Sequence, residues 1–175
     1  NHKDYRPHQG HASISKSKND LRSRDDYPLL SYRDETIKAI YQAYQAYLVA
    51  SNALDFDDML LYTAQLLANN SKVREKYGRR FRHILVDEFQ DTNQAQYFLL
   101  HHLASVHQNI FVVGDEDQSI YRWRGADYRN VQRFTRDFPE TQKILLEQNY
   151  RSTQTILNAA VAVIDENPNR TQKKL

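Results

Sequence analysis

Ile84-Leu85-Val86-Asp87-Glu88-Phe89-Gln90-Asp91-Thr92-Asn93 sets how the surrounding chain is read. Three apolar residues, two of them β-branched, run straight into two adjacent carboxylates. A short apolar run of this kind predicts a buried strand inside a parallel sheet. Carboxylates at its carboxyl end sit where open α/β sheets bind ligands. Two adjacent acids there suit a nucleoside triphosphate site: one holds Mg²⁺, and the other orients and deprotonates an attacking water.

Downstream of this stretch the pattern alternates strand and helix. Residues 93–104 predict a helix with Tyr97, Leu100, Leu103 and Ala104 inward, and residues 110–113 a second strand. Residues 126–137 predict a helix ended near Phe138-Pro139, and residues 144–146 a third strand. Ser152 is the expected cap of a last helix that runs to Ile164 and stops before Asn167-Pro168. Short links between alternating elements point to βαβ units and a parallel sheet.

Upstream the chain is helical. Residues 31–50 place Ile37, Ile40, Tyr41, Tyr44, Tyr47 and Leu48 on one face, behind a Ser31/Asp34 capping signature. That tyrosine stripe predicts core packing rather than a base-stacking platform, because only Lys38 lies near it. A second helix starts at Asp55, with Asp57 and Asp58 favouring the positive end of its dipole. Asn69-Asn70-Ser71 breaks the chain, a short helix follows over residues 72–77, and Gly78 reads as its C-cap. Residues 1–30 are polar and basic, carrying Lys3, Arg6, Lys16, Lys18, Arg22 and Arg24. Their first ten residues are expected to be mobile, with one helix over residues 12–21.

Composition narrows the class. The formal net charge is +2, so no global field draws the chain to nucleic acid and any such contact is local. There is no cysteine, which removes disulfides and thiolate metal sites and fits a cytoplasmic location. The longest clean apolar run, residues 159–164, is far too short to span a bilayer, so no membrane partner is expected. Both ends read as cut, since the chain opens without methionine and closes on Lys173-Lys174-Leu175.

Three strings fall at the carboxyl ends of the three expected strands. The first is Val86-Asp87-Glu88-Phe89-Gln90-Asp91-Thr92-Asn93. The second runs from Val112 through Gly114-Asp115-Glu116-Asp117-Gln118-Ser119-Ile120-Tyr121-Arg122-Trp123-Arg124-Gly125-Ala126-Asp127. The third is Leu146-Glu147-Gln148-Asn149-Tyr150-Arg151-Ser152. Gly114 lets the chain turn sharply as it leaves its strand. Tyr121, Trp123 and Arg124 alternate aromatic surface with positive charge, which suits single-stranded DNA. Bases stack on an indole for roughly 1–3 kcal/mol each without regard to sequence.

In this order and without gaps, the three strings resemble the motifs of superfamily 1 DNA helicases of the UvrD/Rep/PcrA kind. The resemblance extends from about Ala12 to Lys174 and is densest over residues 84–152. It implies an α/β fold: a partial RecA-like parallel sheet with flanking helices, preceded by a mostly helical N-terminal region. It implies ATP and Mg²⁺ as cofactors, Asp87 as a magnesium ligand and Glu88 as general base. It further implies that Gln118 senses the γ-phosphate and that Tyr150 stacks on adenine. Arg151 would reach the γ-phosphate, a role worth about 10³–10⁵ in rate. Trp123 would lie against a base. In the family a helical insert associated with duplex DNA occupies the place of residues 1–30. Residues 31–82 then return to the ATPase core, residues 83–152 form half of a RecA-like domain, and residues 153–175 lead toward a second one.

One departure is large. Phosphate binding in this family needs Gly-x-x-x-x-Gly-Lys-[Ser/Thr]. None of the four glycines, Gly10, Gly78, Gly114 and Gly125, is followed by lysine. The chain therefore reads as an internal piece, inactive alone, whose exposed strand edge invites self-association. The leading expectation is an ATP-driven translocase that unwinds DNA in its intact form. Its rivals are a helicase–nuclease subunit and a standalone single-strand-binding module. Common to the leading reading is that acids, glutamine and arginine from three loops meet at one triphosphate pocket beside a DNA track.

Overall fold

The computed structural model describes residues 6–166, with the side chain of Arg124 outside the description. Among these residues seven α-helices and two β-strands follow in the order α1 (Pro7–Asn19), α2 (Tyr32–Ala50), α3 (Phe56–Asn69), α4 (Ser71–Arg80), β1 (Ile84–Val86), α5 (Gln94–Ala104), β2 (Ile110–Val112), α6 (Arg129–Asp137) and α7 (Gln154–Ile164). Single 3₁₀ turns at Phe89–Asp91, Glu116–Gln118 and Arg122–Arg124 carry the polar loops.

β1 and β2 pair in parallel, with Ile84 opposite Ile110, Leu85 opposite Phe111 and Val86 opposite Val112. The ladder is prolonged by Val113 N–H donating to Val86 O at 2.8 Å and Phe89 N–H donating to Val113 O at 2.9 Å. One face of this ribbon packs on α5 and α6, where Phe89, Tyr97 and Phe134 are buried among Val86, Leu100, Ile110, Val112, Val131 and Phe138. The other face is bare: Leu85 is 75% and Phe111 58% exposed. The expectation of a strand buried on both sides is therefore corrected, because nothing among the described residues covers that face. The third expected strand is also absent. Residues 144–146 run without regular structure, and Ile144 and Leu146 are exposed. A strand exists only through its ladder, and these residues have no paired neighbour among those described.

The helix starts follow local chemistry. Ser31 Oγ accepts from Asp34 N–H at 3.3 Å, as its spacing predicts. Asp55 with Asp58, and Asn93 with Gln96, each close a reciprocal capping box. α1 begins at Pro7, five residues before the sequence placed it, since proline's fixed φ suits a first helical position. Part of the stretch expected to be mobile is thus helical; residues 1–5 lie outside the described residues, as do Asn167-Pro168 and the Lys173-Lys174-Leu175 end. α6 starts at Arg129 rather than Ala126, because Gly125 and Asp127 are engaged in the preceding loop. The cap of α7 is Thr153, not Ser152, whose N–H is taken by Asn149 Oδ1 at 2.8 Å. On α2, Ile37 and Tyr41 are buried as expected, but Tyr47 is exposed.

Gly78 is not a C-cap. It lies inside α4, buried against α5 and the loop that follows it, and a Cβ there would come 2.6 Å from Val106 Cγ2. Its value is close approach, not a left-handed turn.

Lys18 stands apart from Lys16, Arg22 and Arg24, which are exposed. Its side chain is fully buried, with Nζ 2.7 Å from Asp55 Oδ2 and 2.9 Å from Asp58 Oδ1. The ammonium also lies over the rings of Tyr41 and Tyr44. Gln45 Nε2 donates to both oxygens of Asp58, and Tyr44 Oη donates to Asp55 Oδ2. Burial alone would raise the Asp55 carboxyl, but Lys18, the Asp58 N–H and Tyr44 outweigh it and hold it below the usual carboxylate range. The same desolvation, with the acceptor Asp55, pushes the Tyr44 hydroxyl up to about 12. The acids read as helix-dipole partners thus also clamp α1 to α3.

Candidate nucleotide and nucleic-acid loops

The loop after β1 is strained where the chemistry is expected. Glu88 holds φ 50° and ψ 42°, the left-handed region. That conformation costs an L-residue roughly 1–2 kcal/mol and persists only when its surroundings fix it. Two contacts do so. Asp87 Oδ1 accepts the Glu88 N–H at 2.9 Å, and Gln90 Nε2 donates to Glu88 Oε2 at 2.7 Å. The backbone of Asp87 and Glu88 leaves the sheet edge here, and both residues are exposed.

Gln90 itself is buried, at 3% exposure. Its Oε1 accepts the N–H of Asp115 at 3.0 Å, in the loop after β2. Asp115 Oδ2 in turn accepts from Gln118 Nε2 at 2.8 Å. A continuous hydrogen-bonded line therefore runs Glu88–Gln90–Asp115–Gln118 across the two strand ends. Gly114 permits it: a Cβ there would lie 2.6 Å from Gln90 Oε1. Its backbone is not left-handed, so the glycine is needed for this close approach rather than for the sharp turn expected. Sequence reasoning named the string but missed Gln90 as its hinge. The signal was a neutral amide two residues after an acid, able to donate and accept at once.

The aromatic loop is tied to the same segment. Gly125 adopts φ 98° and ends the turn that carries Trp123. Asp127 N–H donates to Thr92 O at 2.9 Å. Asn130, fully buried, donates through Nδ2 to Thr92 O, Thr92 Oγ1 and Asn93 O. Arg129 and Arg133 both bridge to Asp127. Burial opposes them, but their hydrogen bonds and charge hold the Asp127 carboxyl below its ordinary range. On this base the Trp123 indole stands 75% exposed, with the Tyr121 ring 6.3 Å away and tilted 52°. The Arg124 side chain lies outside the described residues.

The third string stands apart. Tyr150 is 93% exposed and Arg151 is exposed. The Arg151 N–H donates to Asn149 Oδ1 at 2.9 Å. Among the described residues neither side chain bonds to Asp87, Glu88 or Gln118. The structure joins two of the three expected loops and leaves Arg151 and Tyr150 out of that line. Two small clefts lie away from these loops, one beside Gly10 and Ile37, the other beside Tyr41, Gln45 and Tyr62.

No cluster of three metal-ligating side chains occurs among the described residues. Magnesium does not require one, since it keeps several waters and takes one or two carboxylates beside the phosphates of its nucleotide. Asp87 fits that donor set: it is exposed, and Oδ1 accepts its own turn's N–H while Oδ2 has no protein partner among the described contacts.

A parallel strand–helix–strand unit, with hydrogen-bonded polar loops at the carboxyl ends of both strands, is the layout of α/β proteins that take ligands at strand ends. A family model described as the UvrD/REP helicase N-terminal domain matches residues 2–139, and the chain belongs to that family. Relatives named ATP-dependent DNA helicase PcrA include those of Bacillus subtilis, 48% identical over 94% of this chain, and Staphylococcus aureus, 46% identical over 99%. The corresponding Leuconostoc citreum protein is 45% identical over 98%. The chain spans 22–24% of the length of these relatives. No helix among the described residues is long and apolar enough to cross a membrane.

Proposed function

We propose that this chain is the segment of an ATP-driven DNA helicase that carries the water-activating acid and links it to a single-strand DNA contact. The observation that supports this most is the hydrogen-bonded line from Glu88 to Gln118, with Thr92 of the same segment anchoring the Trp123 loop. In this reading residues 83–152 are half of a RecA-like ATPase domain, residues 1–30 belong to a duplex-contacting insert, and the protein works in the cytoplasm. Residues 31–82 join the insert to the ATPase core, and residues 153–175 lead to a second RecA-like domain.

Each side chain has a defined task. Glu88 takes the proton of the water that attacks the γ-phosphate, and Gln90 Nε2 holds its carboxylate at 2.7 Å. Gln118 contacts the γ-phosphate and is a neutral donor, so it registers that group without cancelling metal charge. Asp87 would hold Mg²⁺, which supplies charge neutralisation on the phosphates when bound. Tyr150 stacks on the adenine and Arg151 reaches the γ-phosphate after the exposed third loop closes on bound nucleotide. Tyr121, Trp123 and Arg124 receive single-stranded DNA. Because Asp127 and Asn130 hang that loop on Thr92, a shift of the acid segment is transmitted to the indole.

The isolated chain is inactive in this reading, since it has no glycine-rich Gly-Lys loop to cradle phosphates. The bare Leu85/Phe111 face supports self-association of the isolated chain, which light scattering over a range of concentrations measures. The decisive assay is DNA-stimulated ATP hydrolysis by the full-length protein carrying this segment. Glu88→Gln should lower turnover by about 10²–10⁴-fold while nucleotide binding is kept. Hydrolysis by the purified chain alone that is lost with Glu88→Gln would refute its inactivity. Quenching of Trp123 fluorescence by oligo-dT, with and without Mg-ATP, separates an ATP-linked DNA contact from a plain binding module.

A further inference from the structure

We infer that Gln90 is a positioning residue for the hydrolytic reaction: its one amide holds the Glu88 carboxylate and the Asp115 backbone at a fixed separation. This rests on the reading of Glu88 as general base. The amide orientation follows from its partners. The Asp115 N–H can only donate, so the atom facing it at 3.0 Å is Oε1, and Nε2 is left to donate to Glu88 Oε2 at 2.7 Å. Both bonds are made by a side chain only 3% exposed, so water competes weakly for them. Gly114 leaves room for the same Oε1, which a Cβ there would meet at 2.6 Å, and Ser119 Oγ reaches the Gln90 carbonyl at 3.5 Å.

The requirement is chemical. Of the side chains of this length, glutamate keeps an acceptor for Asp115 but puts a second carboxylate against Glu88. Methionine fills the space and offers neither bond. Only an amide serves one partner of each kind. Gln90 also carries the link onward, because Asp115 accepts from Gln118 through Oδ2. When Gln118 follows the γ-phosphate, the Asp115 loop moves with it, and the rigid amide passes that movement to the base. Glu88 is thus placed for attack only while the sensing loop is engaged.

The test uses Gln90→Glu and Gln90→Met in the full-length protein carrying this segment, assayed for DNA-stimulated ATP hydrolysis beside Glu88→Gln. Misplacing a catalytic group by about 1 Å costs on the order of 10²-fold, so kcat should fall by about that factor in both Gln90 variants. KM for ATP and single-strand DNA affinity should stay near those of the parent, a split that a merely structural role would not produce. Gln90→Glu at the parent kcat, with Glu88→Gln inactive, would overturn this inference alone. Glu88→Gln at the parent rate would overturn the proposed function and this inference with it. Unfolding of both Gln90 variants at the assay temperature would assign the residue to the scaffold and overturn its positioning role.

Discussion

Replacing Lys18 by methionine should destabilise this chain more than any other single change of a basic residue. Lys18 and Asp58 have fully buried side chains, and Asp55 is 20% exposed. Methionine matches the stem of lysine, so no cavity opens; what is lost is the charge that balances two carboxylates. Breaking a buried pair by removing one partner costs about 3–5 kcal/mol. The lower end applies here, because Gln45 Nε2 still donates to Asp58 at 3.1 and 3.0 Å. A loss of about 3 kcal/mol in a chain of this size lowers the thermal midpoint by about 6–12 °C. Far-UV circular dichroism melts of parent and variant measure it directly. The triple variant Lys18→Met/Asp55→Asn/Asp58→Asn should recover part of the loss, since it removes the stranded charge as well as its partner. A Lys18→Met midpoint indistinguishable from the parent would refute the reasoning.

Further outcomes follow from the same structure. Gly78→Ala should cost about 1–3 kcal/mol by overpacking, because its Cβ would lie 2.6 Å from Val106 Cγ2, and Val106→Ala should relieve it; paired denaturant melts check this. Trp123→Ala in the full-length protein should weaken oligo-dT binding by roughly 1–3 kcal/mol without changing stability, read by anisotropy titration. The Tyr41 and Tyr97 hydroxyls are raised by burial and by nearby Asp58 and Asp137, and Tyr44 is pushed up to about 12. Groups raised in the folded state stabilise it below their unfolded value and lose that contribution as pH rises. Stability should therefore decline above pH ~10, and Tyr97→Phe should flatten part of that decline in pH-dependent urea melts. Burial, His101 and Arg74 lower the His102 imidazole, so its contribution is present above pH ~6.5 and is lost on acidification; His102→Gln should remove that slope.

The family and the starts of α2 and α3 were legible in the residues because they rest on local chemistry. The order of the three strings, the Ser31 and Asp55 caps, and the two strand runs need only near neighbours in sequence. The third strand was misread for the same reason in reverse: Ile144-Leu145-Leu146 has strand composition, but a strand is made by its partner. Gly78 and Gly114 were read as turn formers, yet both are needed because another chain segment comes too close for a Cβ.

Sequence alone determined which residue types stand at which spacing, and hence the family and the candidate acids, glutamine and indole. It could not tell a solvated lysine from a buried one, since Lys18 is distinguished from its basic neighbours only by Asp55 and Asp58, 37 and 40 positions away. Nor could it show that Gln90 spans two loops or that Arg151 stands apart from them. Those facts depend on long-range pairing, where the balance between burial, charge and hydrogen bonding is settled only once distant segments meet.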